Sequence, residues 1–206
     1  MKGMTRVSDV DHSWQGLSTA IISDCLDRFQ VMDPAIRSLT GGHLIGPAYP
    51  VLTMAGENST LHRAVVGAPV GSVLVVDAGG YLGRAVWGEV LTVAAEVAGI
   101  RGVVIDGAVR DFDELQKQEL PVFARGACAA GPHKGWQGRI GQPIQCGGVP
   151  VSPGDLVVGD GDGVVVVPSS LLEDVHQAAR DRLAAERSWI ARIRGGETTL
   201  TILGLD

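Results

Sequence analysis

Cysteine is scarce in this chain, and the three present, Cys25, Cys128 and Cys146, lie far apart with no CxxC pair. An odd, scattered set builds no disulfide framework, so a reduced, cytoplasmic protein is expected. Aromatic residues make up only 4% of the sequence, which leaves the core to Val, Leu, Ile and Ala. Long apolar runs are missing too. None reaches the ~18 residues that suggest a membrane helix, and the opening MKGMTRVSDVDHSW lacks the apolar segment of a signal peptide. Basic clusters are likewise absent: 17 Lys and Arg stand against 23 Asp and Glu, for a net charge of -6. No nucleic-acid footprint and no membrane partner are expected from that balance. An acidic protein that holds an anion must do so locally, through an arginine, a metal ion or a helix amino terminus.

Several catalytic signatures are also missing. The histidines His12, His43, His62, His133 and His176 include no pair at zinc-ligand spacing. No GxSxG elbow occurs, and no cysteine has the context of a nucleophile. Gly79-Gly80-Tyr81-Leu82-Gly83 is not followed by Lys-Ser/Thr and so is no P-loop. Asp160-Gly161-Asp162-Gly163 lacks the further oxygen ligands of a calcium loop, and reads as a β-turn. Lys134 reads as a solvated lysine in a glycine-rich loop.

What is present is a globular composition, 45% hydrophobic and 19% charged, with 29 glycines to make tight turns. A single domain over residues 1–206 is expected. Helices are predicted over 18–29 (Ser18 as N-cap), 59–66, 86–98, 111–118 and 169–194, the last with Ser169 as N-cap and Gly195-Gly196 beyond it. Strands are predicted at 43–54, 72–77, 102–106, 121–124, 149–151, 156–159 and 163–167. The apolar runs SVLVVD and GVVID suit strands covered on both faces. A flexible turn is expected at 78–83 and an irregular region at 127–148. Alternating helices and strands in the middle, followed by clustered short strands, define an α/β class with some antiparallel pairing.

Two segments could carry chemistry. Gly88-Glu89-Val90-Leu91 opens a predicted helix, whose first amides lack intrahelical partners and could cradle a carboxylate. It could equally be an ordinary helix start. The second segment runs from Asp106 through Arg110 and Asp111 to Glu114, beyond the end of a buried strand, where ligands of open α/β sheets gather. Arginine grips carboxylates with a planar fork. Aspartate suits Mg²⁺ or Mn²⁺, which often need only one or two protein carboxylates. Against this, Asp111-x-x-Glu114 is also a fair capping box for the next helix. Residue chemistry leaves the two readings level.

The stretch WGEVLTVAAEVAGIRGVVIDGAVRDFDEL resembles the family containing the ribonuclease E activity regulator and the class II 4-hydroxy-4-methyl-2-oxoglutarate/4-carboxy-4-hydroxy-2-oxoadipate aldolases. The aldolase branch carries an acid, 20 intervening residues, Arg-Asp, two residues and an acid, matched here by Glu89, Arg110, Asp111 and Glu114. The likeness extends over nearly the whole chain, including Ser23-Asp24-Cys25-Leu26-Asp27, Gly56-Glu57-Asn58 and Gly154-Asp155-Leu156-Val157. It implies a swivelling β/β/α domain, with a central buried sheet flanked by helices and a long C-terminal helix, assembled as a homotrimer or homohexamer. It implies Asp111 as the direct ligand of Mg²⁺ or Mn²⁺, Glu114 acting through water, and Arg110 binding substrate and stabilising an enolate. Gly88, Val90 and Leu91 would hold the carboxylate of a 2-oxo acid. Glu89 would assist, and Glu186 matches a helix glutamate sent into a neighbouring subunit's site. The implied reaction is retro-aldol release of pyruvate, with oxaloacetate decarboxylation as a side activity; the family's other branch implies a non-catalytic regulator of ribonuclease. Pro50, where many members have Thr, and a slightly short turn at 79–84 depart from the pattern.

Overall fold

The structure, a computed structural model, describes residues 13–205. Residues 1–12, including His12 and most of the opening read above for a signal segment, lie outside that range. Four parallel strands form the centre: β2 (Leu44–Leu52), β3 (Val73–Trp87), β4 (Gly102–Val109) and β5 (Val122–Ala127). The short β1 (Arg37–Ser38) adds antiparallel to β5, while on the other side β9 (Leu156–Asp160) pairs antiparallel with β2 and β10 (Gly163–Val167) pairs antiparallel with β9. The order is β1-β5-β4-β3-β2-β9-β10, and β6 (Arg139–Ile140) pairs with the end of β2. A separate hairpin joins β7 (Ile144–Cys146) to β8 (Val149–Val151).

Alternation along the strands divides the core by face. Leu74, Val76, Val103, Ile105, Val122 and Ala124 point to one side, where α2 (Ser59–Gly67) and α3 (Glu89–Val97) cover them with Leu61, Val65, Leu91 and Ala95. Val73, Val75, Val104 and Phe123 point to the other, against Cys146, Val149 and Val151 of the hairpin. A third cluster packs α1 (Thr19–Asp24) and the long α5 (Leu172–Arg194) on β9 and β10. Two short helices, α4 (Phe112–Leu115) and α6 (Thr199–Leu203), complete the chain. Each fully buried Val or Leu contributes about 1.5–3 kcal/mol, so aliphatic residues suffice without many aromatics. This is the expected α/β architecture with its buried sheet and long C-terminal helix. Among the described residues, no helix is long and apolar enough to cross a membrane.

The structure corrects several boundaries. The supposed turn at 78–83 is part of one 15-residue strand, β3, whose pairing with β4 shifts register between Asp77 and Tyr81 and twice more before Trp87. Gly79 and Gly80 take left-handed φ values of 70° and 66° there. They bulge the strand rather than end it. As a consequence Val86 and Trp87 stay in the strand, and α3 starts only at Glu89. Ser18 caps α1 as expected, accepting from the Ile21 amide, but the helix stops at Asp24 because Asp27 and Arg28 turn left-handed. Ser169 is not a cap: its amide donates to Asp155 Oδ1 (2.9 Å), and a 3₁₀ turn precedes α5. The Asp160–Gly163 segment is the turn of the β9–β10 hairpin, as read.

Candidate active site

Four chain segments meet at a cavity of about 410 Å³, within the range typical of small-molecule sites. The end of β3 and the start of α3 supply Trp87, Gly88, Val90 and Leu91; the end of β4 supplies Arg110 and Asp111. These two strands are parallel neighbours, so both chain segments leave the sheet at its carboxyl-terminal edge.

Asp111 is the distinctive residue. Its backbone is left-handed, φ 57° and ψ 40°, and it makes no side-chain capping bond to α4. The capping box therefore does not form. The carboxylate turns back instead: Oδ2 accepts from the Glu89 amide at 3.2 Å and lies 3.5 Å from Arg110 Nε. Glu114 pairs with Lys117 at 2.7 Å and does not line the cavity. Gly88 is needed for lack of bulk, since its φ of -172° suits any residue. A Cβ there would overlap Asp111 Oδ2.

Helix α3 has no side-chain cap. With the Glu89 amide taken by Asp111, the Val90 and Leu91 amides are left with no partner among the described residues. Unpaired first-turn amides attract anions, reinforced by the helix dipole. Glu89 itself sits beside the cavity rather than in its wall. A single aspartate with most of its coordination open to water fits Mg²⁺ or Mn²⁺, which tolerate few protein ligands. Among the described residues no group of three or more His, Cys, Asp or Glu converges, so Asp111 stands as the lone carboxylate such an ion would find. Glu186 is not brought to the cavity within one chain. It lies on α5, bonded to Arg182 Nε at 2.9 Å, while Arg182 Nη2 reaches Asp24 at 3.1 Å.

The remaining wall consists of Asn58, His62, Gly131, Pro132 and Lys134, none singled out from the sequence as site residues. The buried Glu57 organises it. Its carboxylate accepts from Thr53 Oγ1 (3.0 Å), the Ser59 amide (2.8 Å) and the Ser59 hydroxyl. Burial pushes this carboxyl up, but the Ser59 and Thr53 donors outweigh it and hold it below the usual glutamate range. The backbone around Glu57 bridges to His133, with His133 N donating to Gly56 O (2.8 Å) and Asn58 N to His133 O (3.2 Å). That pairing brings Lys134 Nζ to Asn58 Oδ1 (2.8 Å) and to His62 Nε2 (3.3 Å). Burial and the Lys134 charge lower the His62 pKa, favouring the neutral ring. Lys134 is the exposed loop lysine expected, and it also lines the cavity. Cys146, buried behind the sheet, has its thiol pushed far up by burial, which rules it out as a nucleophile.

The model of the RraA-like family, Aldolase/RraA, matches residues 19–166, and the chain belongs to that family. A protein of Halalkalibacterium halodurans provisionally named 4-hydroxy-4-methyl-2-oxoglutarate aldolase is 39% identical over 173 residues, covering 84% of this chain and 82% of its own. An uncharacterised protein from Pseudomonas syringae pv. tomato has a similar structure, with TM-score 0.83 and 31% identity over 97% of this chain and 99% of its own. The RNA-processing inhibitor RraA from Thermus is also similar, with TM-score 0.66 and 27% identity over 81% of this chain and 94% of its own.

Proposed function

We propose that this protein cleaves a 4-hydroxy-2-oxo acid by a retro-aldol reaction that releases pyruvate, with Mg²⁺ or Mn²⁺ held by Asp111. The observation that carries this reading is the Asp111 carboxylate, swung off its own helix and set between Arg110 and the open first turn of α3. The substrate carboxylate rests on the Val90 and Leu91 amides, where Gly88 lets it approach. Arg110 faces the 2-oxo group and offsets the charge that develops on it. When bound, the divalent ion supplies Lewis-acid polarisation of that group. A carboxylate, Glu89 or the Glu186 of a neighbouring copy, accepts the 4-hydroxyl proton. The C3–C4 bond then breaks, its electron pair forming the pyruvate enolate while the other fragment leaves as a carbonyl compound. Protonation at C3 completes pyruvate. The same electron sink serves oxaloacetate decarboxylation. The relative provisionally named as an aldolase supports the lyase class.

The test is pyruvate release from a panel of 4-hydroxy-2-oxo acids and oxaloacetate, with and without EDTA. Arg110→Ala and Asp111→Asn each lower turnover about a hundredfold or more. A metal-loaded protein that releases no pyruvate from any of them sinks the proposal. A second reading, regulation of ribonuclease by protein contact, draws on the likeness to the Thermus RNA-processing inhibitor. Tight ribonuclease binding untouched by Asp111→Asn would favour it.

A further inference from the structure

Helix α3 begins without a side-chain cap because its surroundings forbid one. A Cβ at Gly88 would overlap Asp111 Oδ2, so no Ser, Thr, Asp or Asn fits where a cap would stand. The helix start is held from inside instead. Thr92, one turn further on and fully buried, has its hydroxyl 3.1 Å from Gly88 O, and its amide donates to the same oxygen at 3.1 Å. The indole Nε1 of the buried Trp87 lies 2.8 Å from Thr92 Oγ1. An indole N–H only donates, so the threonine oxygen accepts there and turns its own proton to Gly88 O. The relay therefore runs one way, from Trp87 through Thr92 to Gly88. Gly88 O and the Glu89 N–H belong to one planar peptide. Thr92 holds the oxygen of that peptide, and Asp111 Oδ2 accepts from its N–H at 3.2 Å. With both ends gripped, the peptide cannot tilt without stretching one of these bonds. The main chain of Trp87 ties in the other half of the site, its carbonyl accepting from Arg110 N at 2.9 Å. Thr92 itself is not part of the cavity wall.

We propose that Thr92 is a positioning residue for the first turn of α3, with Trp87 fixing the direction of its hydroxyl. It touches no substrate. It holds the Gly88–Glu89 peptide, and so aims the next two amides, Val90 and Leu91, into the cavity and keeps the Asp111 carboxylate turned back beside Arg110. This deepens the aldolase reading and rests on it for the reaction, though not for the state of the peptide. A threonine inside a helix commonly bonds back to the carbonyl four residues earlier. Here that carbonyl belongs to the residue from which the anion-binding turn starts. Amides that grip a carboxylate do so alike in the substrate and in the transition state, so slackening them appears in KM rather than in kcat.

The experiment compares Thr92→Val, which keeps the shape and loses the hydroxyl, with Thr92→Ser, which keeps the hydroxyl and loses the methyl. Hydrogen exchange in the metal-free protein is read by NMR at the Glu89 amide and at Val104 in the middle of β4, which reports opening of the sheet. Steady-state pyruvate release from a 4-hydroxy-2-oxo acid gives KM and kcat. In Thr92→Val, exchange at Glu89 rises about tenfold or more relative to Val104, and KM rises about tenfold while kcat changes less than about threefold. Thr92→Ser stays within about threefold of the parent in both measurements. Trp87→Phe, which removes the indole donor, moves the Glu89 ratio in the same direction as Thr92→Val. Unchanged exchange at Glu89 in Thr92→Val overturns the proposal. So does equal acceleration at Glu89 and Val104, or a Thr92→Ser protein that behaves like Thr92→Val, since either makes Thr92 a packing residue. A parent-like KM beside faster Glu89 exchange overturns it as well. If exchange follows the stated pattern while no 4-hydroxy-2-oxo acid is cleaved, the relay stands and the aldolase reading falls.

Discussion

Left-handed backbone at a non-glycine residue costs free energy, and in this site Asp111 bears that cost at the cavity edge. Aspartate tolerates the conformation better than most residues; a β-branched side chain does not. Asp111→Gly is therefore expected to keep the parent's melting temperature while losing pyruvate release. Asp111→Val should lose both, with a further ~1–2 kcal/mol of destabilisation. Calorimetric melting beside the turnover assay checks this, and a marked fall in melting temperature for Asp111→Gly would contradict it. Gly88→Ala should leave the fold intact yet displace the Asp111 carboxylate, lowering turnover about tenfold or more. At this scale the sequence revealed Arg110 and Asp111, because they are adjacent and follow a buried strand. It could not decide between helix cap and site, since that depends on one backbone angle. Lys134 was illegible for a different reason. It lies 76 residues from Asn58, and long-range contacts such as the backbone pairing of Glu57 with His133 bring them together. The one local hint was the four-residue step from Asn58 to His62, which puts both on one helix face.

Elements are tied together by a few buried polar bonds. Asp160, at the end of β9, accepts from Thr19 Oγ1 (2.6 Å) and Thr19 N (2.9 Å), fastening the start of α1 to the hairpin. Burial pushes this carboxyl up, but the Thr19 and Asp162 donors prevail and hold it below the ordinary aspartate range. A depressed carboxyl stabilises the fold fully above its unfolded pKa, near 3.9, and that contribution fades as pH falls through the lower folded value. Thr19→Val should accordingly cost about 1–3 kcal/mol at pH 7, with the gap to the parent narrowing below about pH 4. Denaturant titrations across that range measure it; a gap that widens in acid refutes the assignment. Strand and helix types were readable from periodicity here, as with SVLVVD and GVVID. Boundaries were not. The strand β3 runs through a glycine pair that resembles a turn, because β4 keeps it in the sheet across each register shift.

For the whole molecule, the exposed valines are the notable surface. Val90, Val93 and Val97 follow one face of α3, and Val66 on α2 and Val70 just after it are also bare, with Val66 and Val97 88% and 86% exposed. Apolar stripes of this kind mark contact surfaces. Val90 also lines the cavity, so a neighbour seated here would border the site. The proposed trimer or hexamer should scatter light at three or six times the 21.5 kDa chain mass. The Val93→Glu/Val97→Glu double variant should shift it toward monomer. If Glu186 acts across that boundary, turnover falls with dissociation; a fully active monomer would assign the base to Glu89.

The cavity wall has two origins. One part is cut from the ends of β3 and β4, where Asp111 and Arg110 are fixed by the sheet itself. The other hangs on the turn at Glu57 as an excursion outside the sheet's parallel core. The two parts of the wall are thereby held by different pieces of the chain. A change in residues 131–138 therefore reshapes one wall of the cavity while the ends of β3 and β4 keep their places in the sheet.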